Sequence, residues 1–120
     1  MISGTFRDEH PRVTLILPGL QSDFETEFIV DTGFAGDLAM PAHLAEQLDG
    51  EFAGLGERRL ANGQRLQRRT YEVALDWFAE SRRTEVLVLE GDALLGTVLF
   101  REYLLQVEAM EGGNVYIETL

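Results

Sequence analysis

The chain has 120 residues, the length of one typical domain of roughly 100–150 residues, and its 45% hydrophobic and 26% charged content is that of a globular protein. It contains no cysteine and no lysine, which excludes disulfide scaffolds, thiolate metal sites, cysteine nucleophiles and Walker-type nucleotide sites. The net charge of −11 disfavours nucleic-acid binding, no apolar run approaches the roughly 18–20 residues of a membrane span, and the N-terminus lacks a signal-peptide layout. We therefore expect one domain over residues 1–120, cytoplasmic, with neither membrane nor nucleic acid as a partner.

Apolar residues recur mostly with a period of two, which predicts a mostly β fold. Residues 14–17 form an apolar strand that stops at Pro18-Gly19, and residues 23–30 alternate until Phe28, Ile29 and Val30 form a continuous run. Such a run indicates a strand that enters the core. Further strands are predicted at 70–78, 84–89, 103–110 and 114–120, the last two joined across Gly112-Gly113, with short helices at 41–48 and 96–103. Many short strands between turns favour a barrel or a sandwich.

Charge is distributed unevenly along the chain. Residues 1–51 carry a net charge of −8 and residues 70–120 a net charge of −7, whereas residues 57–69 carry +4 from Arg58, Arg59, Arg65, Arg68 and Arg69 against Glu57. Asn62-Gly63 within this basic segment predicts a β-hairpin that projects into solvent or over another part of the molecule. The arginines either favour acidic substrates or pair with the acidic body, and we prefer the second interpretation because exposed ion pairs are common.

Carboxylates are the candidate catalytic side chains that remain in this sequence. His10 and His43 lie far apart and have no H-E-x-x-H partner, so we interpret them as surface or helix-cap residues. No serine lies in a G-x-S-x-G nucleophile elbow, and no glycine-rich nucleotide motif occurs. The sequence therefore predicts no metal and no cofactor.

One carboxylate, that of Asp31, stands directly after the apolar run that ends at Val30. A carboxylate at the end of a buried strand is costly unless it is hydrogen-bonded, paired or neutral. Gly33 and Gly36 allow the backbone to turn sharply and to bring its N–H groups to this carboxylate. Taken alone, Asp31-Thr32-Gly33 is interpreted as an Asx turn that ends a strand, with glycine supplying a positive φ.

Three segments that follow one another in the chain carry a resemblance to a known family. The first is Val30-Asp31-Thr32-Gly33, which continues as Phe34-Ala35-Gly36-Asp37-Leu38-Ala39-Met40-Pro41 into the first predicted helix. The second is the hairpin around Asn62-Gly63, and the third is Ala93-Leu94-Leu95-Gly96, which leads into the second predicted helix. In order and spacing these segments resemble the retropepsin-like (clan AA) aspartic proteases of the bacterial single-domain type, over residues 28–105.

The resemblance implies a small closed β-barrel of the acid-protease type with one or two short helices, acting as an endopeptidase on a polypeptide substrate. It implies Asp31 as the catalytic residue, with the second carboxylate supplied by another copy, so that the chain forms a homodimer. It implies that Thr32 forms a hydrogen bond across the two-fold axis and that Gly33 leaves the wall of the site open for the substrate backbone. It also implies that Leu94, Leu95 and Gly96 pack behind the loop. Substrate contacts fall to Phe34 and Ala35 and to a flap at residues 60–66 that includes Ala61, Asn62 and Gly63.

The chain departs from the retroviral members of the family at two places. They carry an arginine after the glycine of the third segment that supports the active-site loop, whereas Thr97 and Val98 follow Gly96 here. Their dimers are tied by terminal strands, a role that Val115 to Ile117 can fill. Two other interpretations stay open: a non-catalytic binding or regulatory module that retains the fold, and an unrelated acidic β domain.

Overall fold

Ten strands and two short helices make up the fold in a computed structural model that describes residues 1–59 and 61–120. The strands are β1 (Ile2–Arg7), β2 (His10–Leu17), β3 (Phe24–Val30), β4 (Leu38–Met40), β5 (Glu51–Arg59), β6 (Arg65–Trp77), β7 (Glu80–Val88), β8 (Leu94–Leu95), β9 (Tyr103–Val107) and β10 (Asn114–Thr119). The helices are α1 (Ala42–Ala45) and α2 (Thr97–Phe100). The mostly β prediction is therefore confirmed, and within the described residues no helix is long and apolar enough to cross a membrane.

All of these strands belong to one sheet with the order β5-β6-β7-β4-β8-β3-β2-β1-β10-β9. Most neighbours are antiparallel, but β8 runs parallel to β3 and β4 runs parallel to β7. The sheet is not closed, because no pairing among the described strands joins β5 at one end to β9 at the other. The predicted closed barrel is wrong in this respect, since apolar alternation specifies which face of a strand is buried but not whether the outermost strands meet.

The main core lies on one face of this sheet, where Val13, Phe28, Leu38, Leu75 and Ile117 are almost fully buried. A smaller apolar cluster lies on the other face and consists of Phe34, Ala39 and Leu87, with Leu89 and Leu94 packed against it. The central strands β3, β4, β7 and β8 lie between the two clusters. Their continuous apolar runs follow from this position, because both of their faces are covered.

Several local predictions are confirmed by this arrangement. Residues 28–30 are buried without a break at the end of β3, as the apolar run predicts. Leu99 of α2 is fully buried, as predicted, but both helices are shorter than predicted, Ala42–Ala45 instead of 41–48 and Thr97–Phe100 instead of 96–103. Pro41 is the extended residue before α1 and not its first helical position. The hairpin of β9 and β10 is present, with Gly112 at a φ of 81° in the connection.

Candidate active site

Asp31 lies where β3 leaves the core, at the junction of two parallel strands. The Ile29 amide donates to the carbonyl of Ala93, and the Asp31 amide donates to the carbonyl of Leu95, both at 2.9 Å. These bonds extend the pairing of β3 with β8 up to the aspartate itself. The backbone of Asp31 is therefore held by the sheet, while its side chain is only partly buried.

The Asp31 carboxylate closes a tight turn with the residues that follow it. Its Oδ1 accepts a hydrogen bond from the Gly33 amide at 2.8 Å, and its carbonyl accepts one from the Phe34 amide at 3.2 Å. The Asx turn is therefore present. The expected positive φ is not, because Gly33 and Gly36 both lie outside that region. Glycine at position 36 is instead required by space, since a Cβ there would lie 2.6 Å from the ring of Phe34.

The loop after Asp31 is bound to the segment that follows β8. The Thr97 amide donates to the carbonyl of Phe34 at 2.9 Å, the Val98 amide to Gly36 at 3.1 Å, and the Gly96 amide to Asp37 at 2.8 Å. The first turn of α2 therefore uses its otherwise unsatisfied N–H groups to fix the loop. The resemblance places the third segment behind the active-site loop. The three hydrogen bonds form a contact of this kind between the loop and the residues that follow β8.

The predicted substrate contacts of the loop lie in different environments. Phe34 is 8% exposed and packs with Ala39 and Leu87 beneath the loop, whereas Ala35 and Thr32 are exposed. The ring of Phe34 therefore supports the loop from below, and the surface available to a ligand is provided by its exposed neighbours.

Arg82 of β7 is one residue of this region that the sequence did not reveal; His10 and Asp92, which line the groove described below, are two others. Its guanidinium donates to the carbonyl of Leu99 at 2.9 Å and to that of Val98 at 2.8 Å. The same group lies 3.7 Å from Oδ1 of Asp37, whose Oδ2 accepts a hydrogen bond from the Glu85 amide at 3.0 Å. Arg82 thus joins the C-terminal carbonyls of α2 to the end of the loop.

This arginine supplies the support that is absent after Gly96. No local pattern signals it, because its partners Val98 and Leu99 lie 16 and 17 residues away and contribute only backbone carbonyls. The missing arginine at position 97 is therefore not by itself an argument against a braced loop.

Asp31 opens into a surface groove of about 420 Å³. Leu94 and Thr32 line it beside the aspartate, Asp92 adds a second carboxylate, and Leu105 and Val107 of β9 form the far wall. Leu95 lies behind this groove in the main core. The described residues bring no three metal-ligating side chains together here or elsewhere.

The predicted flap is the tip of the hairpin formed by β5 and β6. Leu60, with which it begins, lies outside the described residues. Ala61, Asn62 and Gly63 are exposed at the tip, where Oδ1 of Asn62 accepts a hydrogen bond from the Gln64 amide at 3.0 Å and Gly63 has a φ of 85°. None of the three lines the groove that contains Asp31.

The described arginine side chains of this hairpin do not form the ion pairs with the acidic body that we prefer as the interpretation of the sequence. The side chain of Arg58 lies outside the description, and the other four are exposed. Within the described residues their one ion pair joins Arg65 to Glu57 of the same hairpin at 3.8 Å. The preferred interpretation is therefore wrong for these four side chains, because within the described residues none of them pairs with an acid of residues 1–51 or 70–120.

The C-terminal strand has a neighbouring strand on each side. Residues 115–117 lie in β10, which pairs with β1 on one side and with β9 on the other. Val115 and Ile117 are fully buried in the main core. In this single chain, residues 115–117 therefore offer no free backbone edge to a second copy.

No protein-family model matches the chain, and neither a curated protein nor a solved structure with significant similarity was found. The resemblance to retropepsin-like proteases rests on the three quoted segments and on the way the chain arranges them.

Proposed function

We propose that the protein is an aspartic endopeptidase of the retropepsin-like type, in which Asp31 is the catalytic residue. The observation that carries this proposal is the placement of the Asp31 carboxylate. It stands at the end of a buried strand, is oriented by the Gly33 amide and opens into a groove. A loop fixed by the sheet, by α2 and by Arg82 is a rigid support of the kind that a catalytic group needs.

The chemistry requires two such carboxylates that share one proton. Like charges roughly 3 Å apart cannot both be ionised, so one carboxyl stays neutral while its partner is charged. The charged carboxylate takes a proton from a water molecule, whose oxygen attacks the peptide carbonyl carbon. The neutral carboxyl donates its proton to the carbonyl oxygen, and the tetrahedral intermediate collapses when the C–N bond breaks and the nitrogen receives a proton.

A second copy of the chain is the proposed source of the second carboxylate. A two-fold axis that passes beside Asp31 brings the same residue of both copies together. The groove that contains Asp31 is bordered by Leu105 and Val107 of β9. Among the described strands β9 pairs with β10 alone and lies at the edge of the sheet, so this border is open to a partner.

The test is the cleavage of an unfolded protein or peptide substrate by the wild type and by Asp31→Asn. The asparagine keeps an oxygen for the Gly33 amide but cannot hold or transfer the shared proton. We expect the variant to lose cleavage by at least about a thousandfold, at unchanged thermal stability. Equal cleavage by the two proteins contradicts the proposal, and so does a wild type that binds peptides at high protein concentration but cleaves none, which is the behaviour of a binding module.

A further inference from the structure

The hairpin segment 57–69, called here the arginine arm, is an exposed cationic surface on an acidic molecule. It carries five arginines and one glutamate, against net charges of −8 for residues 1–51 and −7 for residues 70–120. Of the four arginine side chains that the structure describes, only Arg65 lies within ion-pair distance of an acid, and that acid is Glu57 of the same hairpin. The electrostatic field of these guanidinium groups therefore attracts negatively charged molecules that approach the arm.

One face of the arm is continuous with the sheet face that carries the catalytic loop. Thr70 at the base of the arm is the direct partner of Leu87, which packs with Phe34 beneath the loop. A Cβ on Gly56 would lie 2.7 Å from the Thr70 methyl group and 3.4 Å from Leu87, so Gly56 belongs to the same face. Arg68 is the direct partner of Gly56. We call this the catalytic face of the arm.

Arg68 and Arg69 are neighbours in sequence but lie on opposite faces of the arm, because successive side chains of a strand alternate. Arg68 stands on the catalytic face opposite Gly56, which has no side chain. Oε1 of Glu85 on β7 would lie 3.9 Å from a Cβ on that glycine, but Arg68 forms no ion pair with it. The one hydrogen bond that its guanidinium forms within the described residues goes to the carbonyl of Gln67 at 3.0 Å. Arg69 stands on the other face opposite Leu55, which is 65% exposed.

We propose that the arginine arm selects acidic polypeptide substrates, and that Arg68 on its catalytic face pairs with a glutamate or aspartate side chain of the bound chain. This rests on the proposed peptidase function. A guanidinium forms two parallel hydrogen bonds with a carboxylate, which gives the pair direction as well as charge. The net negative charge of the body disfavours an acidic chain, so the arm also favours one place at which such a chain binds.

Nucleic acid is the other polyanion that an arginine-rich surface attracts, and the arm is poorly equipped for it. Residues 57–69 contain no aromatic side chain, so the stacking platforms that hold single-stranded bases are absent from its sequence. The flanking segments with net charges of −8 and −7 also oppose a long phosphate backbone. A short acidic stretch of a polypeptide fits the size and sign of the surface better.

The experiment measures binding without cleavage, in the Asp31→Asn background. Two labelled unstructured peptides that differ only in carrying glutamate or glutamine at the same four positions are titrated with protein, and fluorescence anisotropy is recorded at low and at high salt. We expect tighter binding of the glutamate peptide and a loss of this preference at high salt. Arg68→Glu should weaken binding of the glutamate peptide by about tenfold or more, and Arg68→Gln by less.

The chain offers two matched controls for this charge reversal. Arg69→Glu makes the same change on the opposite face and should cost only about twofold to threefold through the general field. Arg101→Glu makes it on an exposed residue far along the chain from the arm and should cost less than about twofold. Equal binding of both peptides, or a larger loss for Arg69→Glu than for Arg68→Glu, overturns the proposal. Tighter binding of a single-stranded oligonucleotide of equal charge also overturns it.

Cleavage by the wild type is recorded separately, so that the two proposals fail in different ways. A wild type that cleaves both peptides with equal kcat/KM contradicts selection by the arm and leaves the peptidase standing. Binding of the glutamate peptide that depends on Arg68, without cleavage of any substrate, contradicts the peptidase and supports acidic recognition by the arm.

Discussion

At Gly96 two segments of the chain approach so closely that a methyl group has no room. A Cβ there would lie 2.2 Å from the carbonyl oxygen of Gly36 and 2.6 Å from that of Phe34. Both oxygens accept hydrogen bonds that hold the loop after Asp31. A substitution at this position therefore moves the loop and does not merely fill a space.

Gly96→Ala should destabilise the protein by about 3 kcal/mol, the upper end of the cost of overpacking, and should reduce peptide cleavage further than stability alone explains. Urea unfolding and kcat measure the two effects. Gly33→Ala is the control for stability, because a Cβ at Gly33 meets only Oδ1 of Asp31, at 3.2 Å. A loss for Gly96→Ala that is no larger than that for Gly33→Ala contradicts the described packing.

Individual residues of the candidate site differ in how far the sequence reveals them. Asp31 is found because a charged residue directly after a buried apolar run is unusual. The positive φ expected at Gly33 is wrong, because a triplet does not distinguish a glycine needed for its dihedral angle from one needed for its small size. Arg82 is missed because a strand arginine with backbone partners has no sequence pattern.

At the scale of elements, α2 has only four residues and depends on its neighbours for stability. An isolated helix of this length does not form in water. Arg82 satisfies two of its C-terminal carbonyls and brings a positive charge to that end of the helix. The loop after Asp31 is in turn bound to the N-terminal amides of α2.

Arg82→Gln should therefore cost about 2–3 kcal/mol of unfolding free energy and lower kcat more than it changes KM. The adjacent Arg83 provides the control, because its side chain is 80% exposed and pairs with Glu72 at the surface. Arg83→Gln should change stability by less than about 0.5 kcal/mol. Similar losses for the two variants contradict a supporting role for Arg82.

The turn between β6 and β7 consists of two residues without glycine. Phe78 and Ala79 have φ values of 51° and 64°, in the left-handed region that costs non-glycine residues about 1 kcal/mol. Phe78 is held there by stacking on Tyr103, with ring centroids 4.6 Å apart. Ala79 is exposed, and no ring contact compensates its conformation.

Ala79→Gly should raise the free energy of unfolding by about 0.5–1 kcal/mol, because relief of the strain outweighs the added entropy of the unfolded chain. Ala74→Gly within β6 should instead lower it by a similar amount. Thermal or urea unfolding of both variants gives the comparison. Destabilisation of equal size at the two positions contradicts the left-handed turn.

A strand is predictable from the sequence when its apolar pattern is long enough to recognise. β3, β6 and β7 carry runs long enough to identify. β4 and β8 have three and two residues, too few for any periodicity, and their burial on both faces comes from the strands around them. β1 is not predicted either, because only Ile2 and Phe6 of its six residues are large and apolar and the turn after it, Asp8-Glu9, has positive φ values without glycine.

Across the whole molecule, the described strands form a sheet with two unpaired edges, β5 and β9, and the candidate groove lies beside β9. Strand patterns in the sequence do not reveal this, because they carry no information on whether β5 meets β9. An open edge beside the groove is compatible with the association that the proposed chemistry requires. A site made of one residue from each of two identical chains has an activity that depends on pairing.

The peptide-cleavage rate of mixtures of wild type and Asp31→Asn shows whether one site uses Asp31 from two chains. Total protein is kept constant and high enough for association, and the fraction of wild type is varied. If each site needs Asp31 from both copies, an equal mixture should retain about one quarter of the wild-type rate, the share of dimers with two intact chains. A rate of about one half, proportional to the wild-type fraction, would contradict the shared site, and a rate unaffected by the variant would contradict a catalytic role for Asp31.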